Sequence, residues 1–307
     1  MKKSLLFPSL CALILLAGCG SPSAPPAASE PAAPPTPPAV SEPAPAPAPE
    51  VISYTVTTLT EENSLHAEDG TLLLTTRYQL PSLSAHREDG SAIEEAKTEA
   101  EEAALATAAT FNEKFTNWSN EEDFGGGNIA DIAKESYDWC IQEGLDWFEG
   151  YALDLNCSTY QTDRMISVVG LYYSYTGGAH PNSVYLAWNF DLENGAFFTP
   201  ETLGDSPEFQ LVVTEELIRQ CKEQIKVAEQ EGWGSDIFWP DYETILADWQ
   251  SYAVSFDGEN MIVSFSPYEL AAYAAGPQIF SIPYSFLEPY LSLQGMELLG
   301  LAEKPGA

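Results

Sequence analysis

Residues 166–192 read ISVVGLYYSY, TGGAHPN and SVYLAWNFDL in succession, and this stretch decides the fold class. Its first run is apolar on both faces, as in a strand at the centre of a sheet. Its last run alternates, with the apolar residues at even positions from 184 to 192 on one side. Two glycines and a proline lie between the runs, which is typical of a turn. We therefore expect two neighbouring strands joined by residues 176–182.

Similar patterns recur on both sides of this stretch. Residues 51–59 and 71–80 alternate β-branched and polar side chains around Asp69-Gly70, which is a strong hairpin signal. A second Asp-Gly pair lies in the middle of 252–265, where it predicts another hairpin, and 278–283 is a further short strand. Most strands are thus expected to pair with a sequence neighbour, in the antiparallel sense.

Amphipathic helices separate these groups of strands. Ser91 and Glu94 form a capping box that opens an apolar stripe running to position 118, and a second helix is predicted over about 128–148. A third begins at Ser206-Pro207 and ends near position 232. We interpret the acidic residues of the first helix as a solvated face: Glu94, Glu95, Glu99, Glu101 and Glu102. Helices set between hairpins predict an α+β fold with a largely antiparallel sheet.

The start of the chain predicts export and lipid attachment. Lys2 and Lys3 precede an apolar run that is too short to span a bilayer as a mature helix. Residues 16–19, Leu-Ala-Gly-Cys, resemble a bacterial lipobox, so we expect residues 1–18 to be a lipoprotein signal peptide and Cys19 to be the lipidated first residue. The other possibility is an ordinary cleaved signal with a chance cysteine. If Cys19 is lipidated, the protein is expected on the extracytoplasmic face of the cell membrane.

Residues 19–50 are predicted to be a linker behind this anchor. Of the 30 residues from 21 to 50, 12 are proline and none is aromatic, so the segment lacks the side chains that build a core. Proline-rich chains favour the extended polyproline II conformation at about 3.1 Å per residue. The linker can therefore hold a domain well away from the lipid surface.

The charge and the cysteines restrict the partners and the architecture. With 46 acidic and 12 basic residues the chain has a formal charge of −34. This charge argues against nucleic acid as a partner and favours cationic partners. A need for solubility alone would also explain the acidic composition. Cys140, Cys157 and Cys221 remain in the domain region, an odd number that does not suggest a disulfide framework. We expect buried free thiols, with a Cys140–Cys157 bridge as the alternative.

Four segments carry a resemblance to a known family: YSYTGGAHP at 173–181, NFDLENG at 189–195, SPYELAAYAAG at 266–276 and IPYSFL at 282–287. Their order and spacing resemble the extracellular domain shared by the anti-sigma factor RsiV and the N-terminal region of the peptidoglycan deacetylase PdaC. The resemblance implies two α+β domains, 51–150 and 151–307. The sequence shows neither the transmembrane and sigma-binding segments of RsiV nor the deacetylase domain of PdaC, so we expect only the binding or sensing module.

The resemblance also directs attention to a small set of candidate ligand-binding residues. They are Tyr175, Gly177, Gly178, His180, Tyr268 and Tyr273. Each also has a structural interpretation: the glycines supply positive φ angles, His180 orders the turn, and the tyrosines pack a loop onto the sheet. We predict no catalytic residue, no metal ligand set and no cofactor, because the spacings of histidine, cysteine and serine match none of the known motifs.

These observations lead to a functional expectation with one alternative. The protein is expected to be a lipid-anchored, non-enzymatic binding or sensing module at the cell surface. The resemblance implies that the ligand is a cationic wall-active protein such as lysozyme, which the acidic charge would suit, or else cell-wall glycan. The alternative is a cell-wall-modifying hydrolase that uses carboxylates which the sequence does not locate.

Overall fold

Nine strands in two sheets are found in the part of the chain that this computed structural model describes, residues 50–116, 118, 129–145 and 147–302. The larger sheet has six strands in chain order, and the smaller has three. The larger sheet consists of β1 Ile52–His66, β2 Leu72–Arg87, β3 Tyr151–Gln161, β4 Met165–Tyr175, β5 Asn182–Asp191 and β6 Ala196–Phe198. The smaller consists of β7 Ala253–Phe256, β8 Asn260–Phe265 and β9 Gln278–Pro283.

Six α-helices accompany these strands over the same described ranges. They are α1 Glu99–Thr116, α2 Ile129–Gln142, α3 Pro207–Glu231, α4 Tyr242–Ala247, α5 Tyr284–Leu287 and α6 Leu293–Leu298. Short 3-10 turns occur at Pro200–Leu203, Trp249–Ser251, Tyr273–Ala275 and Glu288–Tyr290. The predicted α+β class with largely antiparallel sheets is confirmed. None of the helices in these ranges has both the length and the apolar character needed to cross a bilayer.

One pair of strands departs from the antiparallel pattern. Strands β2 and β3 run parallel, with Leu74 opposite Tyr151 and Gln79 opposite Asn156. A parallel pair needs a long crossover, and here the chain between the two strands carries α1 and α2. The six-stranded sheet therefore crosses the boundary expected at residues 150 and 151, because β1 and β2 lie before it and β3 to β6 after it. Strands from both expected domains thus form one sheet.

Two hydrophobic cores lie on different parts of the sheets. The first is formed by α1 and α2 on one face of the larger sheet, around Phe111, Leu155 and Phe190. The second surrounds the smaller sheet and α3, with Trp249 and Phe265 fully buried. Strands alternate and helices present stripes, so most elements bury one side, whereas all four residues of β7 are buried.

Two buried polar side chains connect the sheets. The amide of Asn189 on β5 donates to the carbonyl oxygen of Val254 on β7 at 2.9 Å, and the backbone N–H of Phe256 donates to the hydroxyl of Ser167 at the same distance. These bonds satisfy backbone groups of β7 that face the larger sheet. The smaller sheet is thereby held against one end of the larger one.

Three sequence-based expectations about the first two helices need correction. Ser91 and Glu94 do not cap α1: Ile93 is buried and its N–H bonds to Ala85. The helix begins at Glu99, after Thr98, whose hydroxyl accepts from the N–H of Glu101 at 3.2 Å.

Glu101 itself is not part of a solvated face. It is buried, and its carboxylate pairs with the guanidinium of Arg87 and accepts from the N–H of Lys97. These bonds hold the pKa of Glu101 below its ordinary value, with the Arg87 bond as the main cause.

The third correction is the end of α2, which lies at Gln142 rather than near 148, because Gly144 takes a left-handed φ of 71° and turns the chain. The expected start of the second helix at about residue 128, the signal peptide, Cys19 and the linker up to residue 49 lie outside the described residues.

Arg164 joins three elements at the far end of the larger sheet. Its guanidinium pairs with Asp191 at 3.5 Å, with Glu193 at 2.9 Å and with Glu297 of α6. Asp191 is buried and also accepts hydrogen bonds from the backbone of the following turn. The loop between β3 and β4, the end of β5 and α6 are therefore held by one side chain.

The three cysteines of the domain region are free thiols. Cys157 and Cys221 are buried, and burial raises the pKa of each thiol to about 12. Cys140 is only half-buried, unlike the buried position expected for it. The Cys140–Cys157 alternative is not formed.

Candidate functional site

The turn between β4 and β5 divides the six candidate residues into two groups. On one side His180, Tyr273 and Tyr268 form a continuous aromatic stack. The rings of His180 and Tyr273 are 3.9 Å apart between centroids and 21° from parallel, and those of Tyr273 and Tyr268 are 5.5 Å apart. The hydroxyl of Tyr273 donates to the carbonyl oxygen of Pro181 at 2.9 Å, which fixes the loop against the turn. The loop at 266–276 is thus held against the turn at 176–182, and the three rings of His180, Tyr273 and Tyr268 are hereafter called the aromatic stack.

Tyr268 has the most unusual backbone in this stack. Its φ is 75°, and it is the one residue other than glycine with a positive φ in the described ranges. A side chain in this left-handed region costs about 1 kcal/mol or more, and such strain concentrates at functional sites. The surroundings compensate, because Trp239 donates to the carbonyl oxygen of Tyr268 at 3.0 Å. The ring itself remains 53% exposed, so burial does not explain the strain.

Tyr175, Gly177 and Gly178 lie on the other side of the turn, at the wall of a cleft. The hydroxyl of Tyr175 donates to the carboxylate of Glu149 at 2.7 Å, and this bond raises the pKa of Tyr175 above its ordinary value. The cleft has a volume of about 550 Å³ and lies between this turn, α2 and the segment that leads into β3. We call it the tryptophan cleft, because Trp139 and Trp147 line it.

Both glycines of the turn have the backbone that was expected of them. Gly177 has a φ of 88° and Gly178 a φ of 98°. A β-carbon at Gly178 would meet nothing within 4 Å, so its space is open and only its conformation is restrictive.

Replacing Gly178 with valine should therefore lower the free energy of unfolding by about 1–3 kcal/mol, through backbone strain alone. Thermal unfolding of the variant would measure this effect. Gly178→Asn is the matched control, because asparagine tolerates a positive φ better than valine does. The asparagine variant should therefore lose clearly less free energy of unfolding than the valine variant. Equal midpoints for the parent and both variants would contradict the strain argument.

The titratable side chains near the turn have identifiable local partners. No group of three histidine, cysteine, aspartate or glutamate side chains suited to a metal ion occurs within the described ranges. His180 is exposed and bonds the adjacent carbonyl of Pro181 at 2.9 Å, so it orders the turn.

The sequence interpretation missed Trp139, Trp147 and Glu149. The buried side of α2 carries Ile129 and Ala133. Trp139 lies next to this side of the helix but is not part of it. A large aromatic residue off the buried stripe was the available signal. Trp147 was assigned to a helix that in fact ends at Gln142, and Glu149 follows the end of that predicted helix.

Comparison with known proteins identifies a family domain in the second half of the chain. Residues 210–285 match the family described as protein of unknown function (DUF3298), so the chain contains a DUF3298 domain that begins within α3 and ends within α5. Tyr268 and Tyr273 lie within the match, whereas His180 and both tryptophans of the cleft lie outside it.

One solved structure agrees with this assignment at the level of fold. A crystal structure of a DUF3298 family member from Bacteroides fragilis has a TM-score of 0.57, is 13% identical, and covers 82% of this chain and 98% of its own. A DUF3298 family protein from Pseudomonas aeruginosa covers 78% of this chain at 15% identity, with a TM-score of 0.40. The immunogenic proteins MPB64 of Mycobacterium bovis and MPT64 of Mycobacterium tuberculosis are each 28% identical over 151 residues, 46% of this chain. The aligned region spans 60% of the length of these relatives.

Proposed function

We propose that this protein is a lipid-anchored binding or sensing module on the extracytoplasmic face of the cell membrane, and that it binds its ligand without transforming it. The observation that carries the proposal is Tyr268, an exposed ring kept on the aromatic stack at the cost of backbone strain. The ligand is a cationic wall-active protein such as lysozyme, or wall glycan. The resemblance to the receptor domain of RsiV supports the first choice.

The charge of the chain supports a cationic partner. A formal charge of −34 attracts a basic protein over long distances and raises its association rate. Long-range attraction alone is promiscuous and is screened as the Debye length falls from about 10 Å at 0.1 M salt to about 3 Å at 1 M. A specific complex also needs a desolvated centre, and exposed tyrosines are typical of such centres.

Tyr268→Gly separates this role from a structural one. Glycine adopts the positive φ freely, so stability should stay level or rise by up to about 1 kcal/mol. If the ring contacts the partner, the dissociation constant for lysozyme should rise by about tenfold or more. Calorimetry at low and high salt measures the affinity, and thermal unfolding measures the stability.

Two controls complete this experiment. Tyr173→Ala removes an exposed tyrosine from the larger sheet, away from the stack, and should leave the affinity nearly unchanged. An unrelated basic protein of similar size tests for simple charge attraction. Equal binding of both basic proteins, lost together in high salt, would contradict a specific receptor role.

The anchor has its own test. Cys19→Ser removes the thiol that would accept the lipid, so the variant should leave the detergent phase or accumulate as an unprocessed precursor. Cys140→Ser is the matched control, because a thiol in the folded domain should not affect partitioning. Unchanged partitioning of the Cys19 variant would disprove lipid attachment.

The non-enzymatic part of the proposal is tested with purified peptidoglycan. After incubation with the protein, mass analysis of the soluble fraction should find no released or modified fragments. New fragments would favour the alternative, a cell-wall-modifying hydrolase that uses acidic side chains.

A further inference from the structure

The tryptophan cleft has the features of a second recognition site, separate from the aromatic stack. We propose that it binds a neutral sugar chain. This inference rests on the proposed role as a surface binding module and assigns the glycan ligand to a particular place. None of the residues of the aromatic stack lines the cleft.

The first step of the argument is the exposure of the aromatic rings. Trp139 is 57% exposed and Trp147 is 66% exposed, although both are large apolar side chains. Two such rings on the walls of one cleft form an apolar surface that water covers poorly. The C–H face of a pyranose ring is apolar and slightly positive, and it packs on the negative face of an indole.

The second step is the polar lining. Among the described residues, the charged side chains that line the cleft are Glu135 and Glu149, and none of these lining residues is a lysine, arginine or histidine. Carboxylates only accept hydrogen bonds, so a ligand must supply donors and must not be an anion. Sugar hydroxyl and acetamido N–H groups are donors of this kind. Phosphate, sulfate and acidic glycans would be repelled.

The third step is the size of the cleft. Its volume of about 550 Å³ falls within the range of roughly 300–1,000 Å³ that is typical of ligand sites. One lysine or arginine side chain from a cationic protein would fill little of that space. One of the two carboxylates, Glu149, already accepts from Tyr175, which weakens the case for a dedicated cation site. A short sugar chain fits both the volume and the donors required.

The fourth step is that the walls are held in place by contacts of their own. Gly144 ends α2, and the N–H of Leu145 bonds to the carbonyl of Cys140 at 2.9 Å, which turns the chain towards β3. Phe148, next to Trp147, packs against Tyr137 and Tyr151 with ring centroids 5.6 and 6.0 Å apart. The site is therefore largely formed before a ligand arrives, which lowers the cost of binding.

The test uses the full chain and a neutral four-residue oligomer of N-acetylglucosamine. We expect calorimetry to detect binding, and Trp139→Ala or Trp147→Ala to weaken it by about tenfold or more. Trp233→Ala is the matched control, since Trp233 is 78% exposed but lies outside the cleft, and it should change the affinity by less than about twofold. All three variants should unfold at the parent's temperature, because the rings are exposed.

A second measurement needs no variant. Cys140 is a half-buried free thiol that lines the cleft, so the bound oligosaccharide should slow its alkylation, read peptide by peptide by mass spectrometry. Absence of binding, or an equal loss for Trp233→Ala, would overturn the proposal.

Glu135→Gln distinguishes a sugar from a cationic side chain. Glutamine keeps an acceptor oxygen but removes the charge, so sugar binding should weaken by no more than about threefold. If an oligolysine peptide instead protects Cys140 and Glu135→Gln abolishes that protection, the cleft recognises cations and the sugar proposal is wrong. Lysozyme binding that depends on Tyr268 is measured separately, so failure of one proposal does not decide the other.

Discussion

Replacing Arg164 with alanine should lower the free energy of unfolding by about 3 kcal/mol. The substitution leaves the buried carboxylate of Asp191 without its cation and releases Glu297 of α6 from the end of the larger sheet. Removing one partner of a buried ion pair costs more than the pair contributes, because the remaining charge stays desolvated. For a chain of this size the unfolding midpoint should fall by roughly 6–12 °C.

Arg77→Ala provides the matched comparison. Arg77 also pairs with carboxylates, Glu62 at 3.0 Å and Asp154 at 3.7 Å, but its side chain is about half exposed. Exposed ion pairs contribute about 1 kcal/mol or less to the free energy of unfolding. This variant should therefore have an unfolding midpoint close to that of the parent. If the two arginine variants lost the same small amount, the structural role assigned to Arg164 would be incorrect.

Replacing Gly295 with alanine adds a single methyl group and should lower the free energy of unfolding by about 3 kcal/mol. We expect no other added methyl group in the chain's C-terminal region to be more destabilising. A β-carbon at this position would overlap the carbonyl oxygen of Leu203 and lie 3.0 Å from its carbon. Both are backbone atoms of Leu203, a fully buried residue, so they cannot move away easily. The same carbonyl accepts the N–H of Ser292 at 2.8 Å, and this bond would be displaced with it.

The neighbouring position gives the control for this variant. Gln294→Ala changes an exposed residue of the same helix and should leave the midpoint within about 1 °C. Thermal unfolding measures the midpoints of both variants, and chemical denaturation measures their free energies of unfolding. A Gly295 variant as stable as the Gln294 variant would mean that α6 moves away from Leu203 without cost.

Neither Arg164 nor Gly295 stands out in the sequence, and the reason is the same for both. Hairpins and helices depend on neighbours in the chain, so local patterns predicted them well: turns at Gly70 and Gly258 and a helix capped at Ser206 and Gly232 are all present. The partners of Arg164 and Gly295 lie up to 133 and about 90 residues away, respectively, and no local pattern specifies such contacts.

The candidate site was predicted only in part for similar reasons. The sequence pointed to His180, Tyr268 and Tyr273, and the structure brings these three together. It grouped Tyr175, Gly177 and Gly178 with them, whereas these residues face the tryptophan cleft on the other side of the turn. Strands alternate their side chains between two faces, but the direction of each side chain around a turn depends on φ angles that the sequence does not state. The positive φ of Tyr268 could not be predicted from the sequence either.

The parallel pairing of β2 with β3 has a consequence for the order in which the chain acquires its structure. The hairpin of β1 and β2 is a two-stranded ribbon, which in water is marginally stable by itself. Its third strand begins 64 positions beyond the end of β2, at Tyr151, so a large loop must close before the sheet can grow. Contacts of this kind slow folding and leave a long strand edge uncovered meanwhile. During synthesis from the N-terminus, that edge would therefore be exposed for as long as the chain up to Gln161 has not been completed.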